Sequence, residues 1–377
     1  MIRIAHYGGW SRNYGDMAIQ CSMQHLIQKQ TNKLIEFVPI NSDLPLKQGP
    51  QGDVRLPAPQ ISSEIVEYIN ESCQMLIVGG GGQIMSRDPE DSVSGWQFNI
   101  SIDDLCRIKV PLVIFGIGYN KFPNEPEFLD KAIDHLIATY HRASFFSVRN
   151  KGTAAVLKSF GFPDVEVIPD PAMFCPALPI TVPGIEDDDF VVGLNWAGDN
   201  IRGRYQTPEA ALDLHIDIIR LCLKLLQRAG TGKILYFPHV SYYDMNHVEF
   251  MEKSIGKSFI NLARACPWLY PESLLTTPYF VGAYSIPNLV LAARGHANII
   301  PYGRGVPSYG YGAQEKVKFF QEDVGGMMLG MNPSTHLDEV YESAVSNRGG
   351  TLSIMERRRK ELLEQITDFT KRVASLL

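Results

Sequence analysis

The chain has 377 residues, 45% hydrophobic and 20% charged, with a net charge of −6 at neutral pH, which is ordinary for a soluble globular protein long enough for two domains and implies no general affinity for nucleic acid. The six cysteines, at 21, 73, 106, 175, 222 and 266, are scattered with no CxxC pair, which argues against a zinc site or a disulfide scaffold and fits reduced thiols in a cytoplasm. The chain opens with Met1-Ile2-Arg3 and runs straight into an apolar strand, unlike a signal peptide, and no apolar run approaches the roughly 20 residues needed to span a bilayer.

In chain order, residues 2–6 read as a strand, followed by GGWSRNYGD and a helix over about 17–30. Strand, glycine loop and helix together aim backbone N–H groups at an anion. Gly9 allows close backbone approach, and Asn13 and Asp16 can cap the helix or bind a hydroxyl. A tight turn with an Asp cap would read the same way, and neither GxGxxG nor a Walker lysine is present. A strand at 34–40, a Pro- and Gly-rich loop at 48–59 and a helix at 62–71 follow. The strand at 75–78 runs into four consecutive glycines, 79–82. Such a run is costly in chain entropy. A ligand passing close to the backbone explains it more easily than packing does, so Gly81 and Gly82 are candidate contacts. A strand at 111–115 ends in Gly116-Ile117-Gly118-Tyr119-Asn120, with Gly118 a further candidate. After a helix at 127–140, the strand at 145–148 delivers Ser147 and Arg149 to its carboxyl end. A helix at 151–160 and a strand at 165–168, ending in Asp170-Pro171, complete this half. The alternation predicts an α/β fold with a parallel sheet, helices on both faces, and a binding rim at the carboxyl edge.

Several prolines and an acidic cluster at 175–189 mark a linker. A new alternation then begins: a strand at 190–195, a long helix at 208–228, a strand at 233–237 ending in Pro238-His239, and helices at 242–254 and 278–284. The buried strand at 289–293 ends in Arg294-Gly295-His296, and Lys316 lies just past a second apolar segment at 306–309. Arg offers a planar fork to a carboxylate or phosphate, Lys adds a point charge, and His moves a proton near neutral pH. Together they suit a small, multiply anionic substrate whose reaction needs proton transfer. The plainer alternative pairs Arg294 with an acidic neighbour and makes His296 a satisfied histidine at a helix start. The second half repeats the first in architecture without a sequence repeat, so two sheets facing each other leave a cleft between domains. The last helix, about 353–376, carries Leu362, Ile366, Phe369, Val373 and Leu376 as one apolar stripe behind a basic start, Arg357-Arg358-Arg359-Lys360. A membrane-surface helix is one reading. A helix packed across the two domains is the preferred one, because the charges cluster at one end.

These marks, in their order and spacing, resemble the polysaccharide pyruvyl transferase family over nearly the whole chain: Gly8-Gly9 through Asn13, Gly15 and Asp16; glycines 79–82; Gly116-Ile117-Gly118; Ser147-Val148-Arg149; Asp170-Pro171-Ala172; and Arg294-Gly295-His296. The resemblance implies two Rossmann-like domains facing a cleft, as in the glycosyltransferase-B fold, over residues 1–177 and 188–350, with a final helix, 351–377, crossing back to the first domain. It implies transfer of pyruvate from phosphoenolpyruvate onto two hydroxyls of a sugar, forming a cyclic ketal, with neither metal nor cofactor. It carries functional roles to Arg149, Arg294, His296 and the lysine after the last glycine loop, for which Lys316 is the best match and Lys318 a near alternative. Two positions depart from the family's pattern: Gly295 stands where Leu is common, and Pro301 is expected to interrupt the helix that follows His296. A sugar-nucleotide-dependent glycosyltransferase of the same architecture, with His239 or His296 meeting the diphosphate, is the rival reading, and a carbohydrate-binding protein without turnover is a third. The acceptor can be lipid-linked or nucleotide-linked, which leaves open peripheral contact at the inner face of a membrane, and the sequence does not specify the oligomeric state.

Overall fold

The computed structural model describes residues 1–9, 12–40, 47–48, 54–55, 60–87, 91–122, 125 and 127–377. Most of the loop expected at 48–59, and Trp10 and Ser11 of the first glycine loop, lie outside them. The first sheet is parallel, built from β1 (Ile2–Tyr7), β2 (Ile35–Pro39), β5 (Met75–Gly79), β6 (Leu112–Ile117), β7 (Phe145–Val148) and β8 (Glu166–Val167), in the order β2-β1-β5-β6-β7-β8. A short antiparallel ladder, β3 (Lys47–Gln48) with β4 (Val54–Arg55), interrupts the alternation. Every residue of β5 and β6 is buried, which is why MLIVG and LVIFGI read as unbroken apolar runs: helices cover both faces of a parallel sheet. Those helices are α1 (Tyr14–Gln28), α2 (Ser63–Ser72), α3 (Ile102–Arg107), α4 (Asp130–Arg142) and α5 (Lys151–Ser159).

The second sheet is also parallel: β9 (Val191–Asn195), β10 (Lys233–Tyr236), β11 (Phe259–Asn261), β12 (Leu289–Ala292), β13 (Ser308–Gly310) and β14 (Met327–Met328), in the order β11-β10-β9-β12-β13-β14. Its helices are α6 (Ile201–Tyr205), α7 (Pro208–Ala229), α8 (Ser241–Asp244), α9 (Val248–Ile255), α10 (Leu262–Ala265), α11 (Thr277–Ala283), α12 (Gly295–Gly303), α13 (Glu315–Val324) and α14 (Leu337–Tyr341). Two expectations are corrected here. The single helix expected over 242–254 is broken into α8, one 3₁₀ turn and α9, because the Asp244 carboxylate turns back to accept the backbone N–H groups of His239 and Val240. Pro301 does not interrupt the helix after His296: α12 runs through it to Gly303. The proline sits in the last turn, where it forgoes only the bond to the Ala297 carbonyl.

The last helix, α15 (Arg348–Ala374), starts on the second domain, where Arg348 Nη1 donates to the Asn288 carbonyl at 2.7 Å and Arg359 Nη2 to the Gly303 carbonyl at 2.5 Å. It ends on the first, with the Phe369 ring edge-on to Phe115 and Phe145 at 5.0 and 6.1 Å. Arg358 donates to the Asp323 carbonyl, so part of the basic run is spent on packing α15 against the second domain. One buried core continues from Ile4, Met75 and Phe115 through Met173 to Val290, Ile300, Ile366 and Phe369, so the two sheets and α15 close on shared apolar surface.

Candidate active site

In an open parallel sheet, ligands bind beyond the carboxyl ends of the strands where the strand order reverses. The first sheet reverses between β1 and β5, whose ends carry Gly8 and the glycine run; the second reverses between β9 and β12, whose ends carry Asn195 and Arg294. Asn195 ties these second-domain ends together, donating to the Phe237 carbonyl at 2.8 Å and accepting the Arg294 backbone N–H at 3.2 Å. The first turn of α1 bridges to them. Tyr14 N donates to the His239 carbonyl at 3.0 Å, and its ring stacks on Phe280 at 3.8 Å.

Arg294 is buried, and its fork is already engaged. Nε and Nη2 meet the two oxygens of Asp244 at 3.0 and 2.5 Å, and Nη2 also meets Asp199 at 2.5 Å. The pairing with an acidic neighbour that the sequence left as the plainer alternative is therefore present. Burial opposes the Arg294 charge, but Asp199 and Asp244 outweigh it and raise its pKa. Burial alone would raise the Asp199 carboxyl, yet Arg204 and Arg294 hold it well below the usual range. Arg204, from the short helix α6, donates Nε to the Asp199 carbonyl at 2.9 Å and Nη2 to its carboxylate at 2.8 Å.

On the first domain, Arg149 Nη1 donates to Asp170 Oδ2 at 3.0 Å. Gly118 is what lets it lie there: a Cβ on Gly118 would fall 2.0 Å from Arg149 Nε. Across the domain boundary, His296 Nε2 stands 3.4 Å from the same Asp170 oxygen, within charge attraction but without hydrogen-bond alignment. Burial pushes Asp170 up, and His296 with Arg149 more than offset it, holding the carboxyl down to about 2. The imidazole rests on Gly15, where a Cβ would come within 2.2 Å of Nδ1. Arg149 and His296, 147 residues apart in the sequence, thus face one carboxylate.

Lys316, in the first turn of α13, donates to Asn120 Oδ1 at 3.0 Å and lies over the Phe122 ring at 5.5 Å. Burial, with Arg204, Arg149 and Arg294 nearby, pushes its amine down to about 7 against the opposing pull of Asp199. Lys318 faces outward, 60% exposed, with Glu322 at 3.7 Å. His239 is fully buried behind Arg294; its Nε2 meets the Tyr284 hydroxyl at 2.6 Å, and burial holds it well below the usual histidine range. Asn13 caps α1 by accepting Gly15 N at 2.9 Å, and Asp16 lies against Gly9 and Gly81.

The glycine run has a packing role beside the ligand contact expected of it. A Cβ on Gly79 would strike the Phe115 carbonyl at 2.2 Å, one on Gly80 the Ile19 side chain at 2.0 Å, and one on Gly82 the Asn120 side chain at 2.8 Å. Close packing against α1, β6 and Asn120, which follows β6, bears on these three, and of the four only Gly81 has a Cβ direction free of contacts under 3.4 Å. Asp199, Arg204, Asp244 and Phe122 do not stand out in the sequence, and Asn120 and Asp170 do so only within longer motifs. Asp199 and Asn120 follow the ends of β9 and β6, so the carboxyl-edge rule reaches them; Arg204 sits on a helix too short to show a period.

Among the described residues, no three His, Cys, Asp or Glu side chains come together to hold a metal ion, and no helix is long and apolar enough to cross a membrane. No curated protein matches the chain in sequence. Its fold is similar to the UDP-GlcNAc 2-epimerase from Neisseria meningitidis bound to UDP-GlcNAc (TM-score 0.54, 10% identity, 98% of this chain and 100% of that one). It is also similar to S. aureus MnaA with UDP (0.56, 11%, 94% and 91%) and to the Methanocaldococcus jannaschii UDP-GlcNAc 2-epimerase with UDP-GlcNAc and UDP (0.52, 12%, 95% and 99%). At such identities the likeness shows the glycosyltransferase-B-like fold alone. The family model of polysaccharide pyruvyl transferases matches residues 13–314, a span that takes in the glycine runs at 79–82 and 116–118, Arg149, Asp170, Arg294 and His296, and the chain belongs to that family.

Proposed function

We propose that this protein transfers pyruvate from phosphoenolpyruvate onto two hydroxyls of a sugar in a polysaccharide or its precursor, forming a cyclic ketal and releasing phosphate, without a metal. The observation that carries this reading is the convergence of four cations, Arg149, Arg204, Arg294 and Lys316, with His296 at the facing strand ends. Three carboxylates, Asp170, Asp199 and Asp244, offset them only in part. Phosphoenolpyruvate brings a carboxylate and a phosphate, and fixed cations in a water-poor site stabilise both without reorganising.

In the reaction, a proton adds to the methylene carbon and leaves an oxocarbenium-like centre at C2. One sugar hydroxyl attacks C2 and loses its proton, the C2–O bond to phosphate breaks, and the second hydroxyl closes the ketal, its proton leaving with the phosphate. His296 is the general acid and base, with Asp170 on its Nε2 side to balance its charge. The free cysteines support a cytoplasmic location, with a lipid-linked acceptor met at the membrane face. A thermal-shift screen tests the donor: phosphoenolpyruvate should raise the melting temperature by several degrees, and acceptor should then trigger phosphate release. Protection by a uridine diphosphate sugar, with none by phosphoenolpyruvate, would replace this reading by glycosyl transfer.

A further inference from the structure

We propose that Arg204 is a donor-binding residue that, with Lys316, takes the phosphate of the donor. The assignment rests on the pyruvyl-transfer reading for the donor's identity and on charge and geometry for the residue. Arg149 has Asp170 to itself among the arginines, and Asp244 is taken up by Arg294 and the backbone N–H groups of Gly198, His239 and Val240. Asp199 is left to serve two guanidiniums, Arg294 and Arg204. The hydrogen-bond partner of Lys316 is the neutral amide of Asn120. The positive charge that no carboxylate matches therefore lies on Arg204 and, when its amine holds a proton, on Lys316.

Both cations lie on one ring: Arg204 Cζ is 5.1 Å and Lys316 Nζ 5.5 Å from the centroid of Phe122. Nε and Nη2 of Arg204 are fixed by Asp199, which sets the plane of the guanidinium. Its Nη1 is buried and, among the described residues, has no acceptor, in a residue only 3% exposed. Supporting Asp199 needs only Nε and Nη2. That role leaves unexplained both the unmatched Nη1 and the ring shared with Lys316. A phosphate explains both, because its oxygens can accept from a guanidinium N–H and an ammonium at once. The two cations would then hold the group that gains charge as the C2–O bond breaks.

The test is calorimetric titration of the full chain with phosphoenolpyruvate, inorganic phosphate and pyruvate, comparing wild type with Arg204→Met and Arg204→Lys, each checked by melting temperature. Arg204→Met should weaken phosphoenolpyruvate and phosphate at least tenfold and leave pyruvate within twofold. Arg204→Lys, which keeps the charge but loses Nη1, should fall between, and it decides the matter if the methionine variant does not fold. Folded variants that bind phosphoenolpyruvate within twofold of wild type would overturn the assignment while leaving the pyruvyl-transfer reading intact. Equal losses for phosphate and pyruvate would also overturn it, marking Arg204 as a support for Asp199. If wild type binds phosphate but not phosphoenolpyruvate, and Arg204→Met loses phosphate, the anion role stands and the donor's identity falls; binding of neither by wild type removes both.

Discussion

Asp170 stands between Arg149 of one domain and His296 of the other, so the proposed proton-transfer group exists only where two chain segments meet. His296→Gln should fold and bind phosphoenolpyruvate, yet release phosphate roughly a hundredfold more slowly with acceptor present. Turnover close to wild type in the folded variant would move the role elsewhere. Arg294 calls for a different expectation. Removing it leaves Asp244 and Asp199 short of a buried partner, which typically costs about 3–5 kcal/mol. Arg294→Ala should therefore lose more in urea unfolding than in donor affinity. Lys316 adds a pH signature. Its amine is pushed down to about 7 by burial and the surrounding arginines, against an ordinary value of 10.5. Between those values the unfolded chain holds a proton that the folded chain does not, so stability rises with pH across that window and the penalty is complete below about 7. An anionic donor would restore the proton. Donor binding at pH 8 should therefore take up a proton, visible as a calorimetric heat that depends on the buffer's ionisation enthalpy and vanishes in Lys316→Met. No buffer dependence in wild type would refute this.

Two elements set the geometry. The first turn of α1 is pinned by Tyr14 to the His239 carbonyl and by Gly15 to the His296 ring. Gly15→Ala gains helix propensity, about 1 kcal/mol, but its methyl would claim the space of the imidazole. A loss of turnover of tenfold or more is expected, with a melting temperature within a few degrees of wild type. Unchanged turnover would show that His296 works from another position. Helix α15 acts on stability alone: Phe369 is fully buried against Phe115 and Phe145, far along the helix from its contacts with the second domain. Phe369→Ala should cost about 3–5 kcal/mol in denaturant unfolding, while the folded fraction keeps its specific activity.

At the scale of the molecule, the two sheets share one core and the rim between them is assembled from both. Each of the three site carboxylates already faces a guanidinium: Asp170 faces Arg149, Asp199 faces Arg204 and Arg294, and Asp244 faces Arg294. A divalent ion would have to displace a buried ion pair to bind there. Phosphate release should therefore persist after exhaustive chelation; loss of activity restored by a divalent ion would contradict that.

The architecture was legible because apolar runs carry it. The run expected at 75–78 is the strand Met75–Gly79, and the one at 145–148 is Phe145–Val148. Arg149, Arg294 and His296 stood out because they directly follow such runs, at the edge where open sheets bind ligands. Spacing could not show what those side chains touch. Asp244 and Asp199 lie 50 and 95 residues from Arg294 and reach it only because β10, β9 and β12 are neighbours in the second sheet. The packing role of the glycine run was hidden for the same reason: Ile19 and Phe115 press on it from elements remote in sequence. The sequence by itself determined which segments form strands and which side chains stand at their ends, since burial on both faces demands unbroken apolar residues. Which charge meets which was decided by tertiary structure alone, because strand order and the closure of α1 and α15 set the distances on which electrostatics depends.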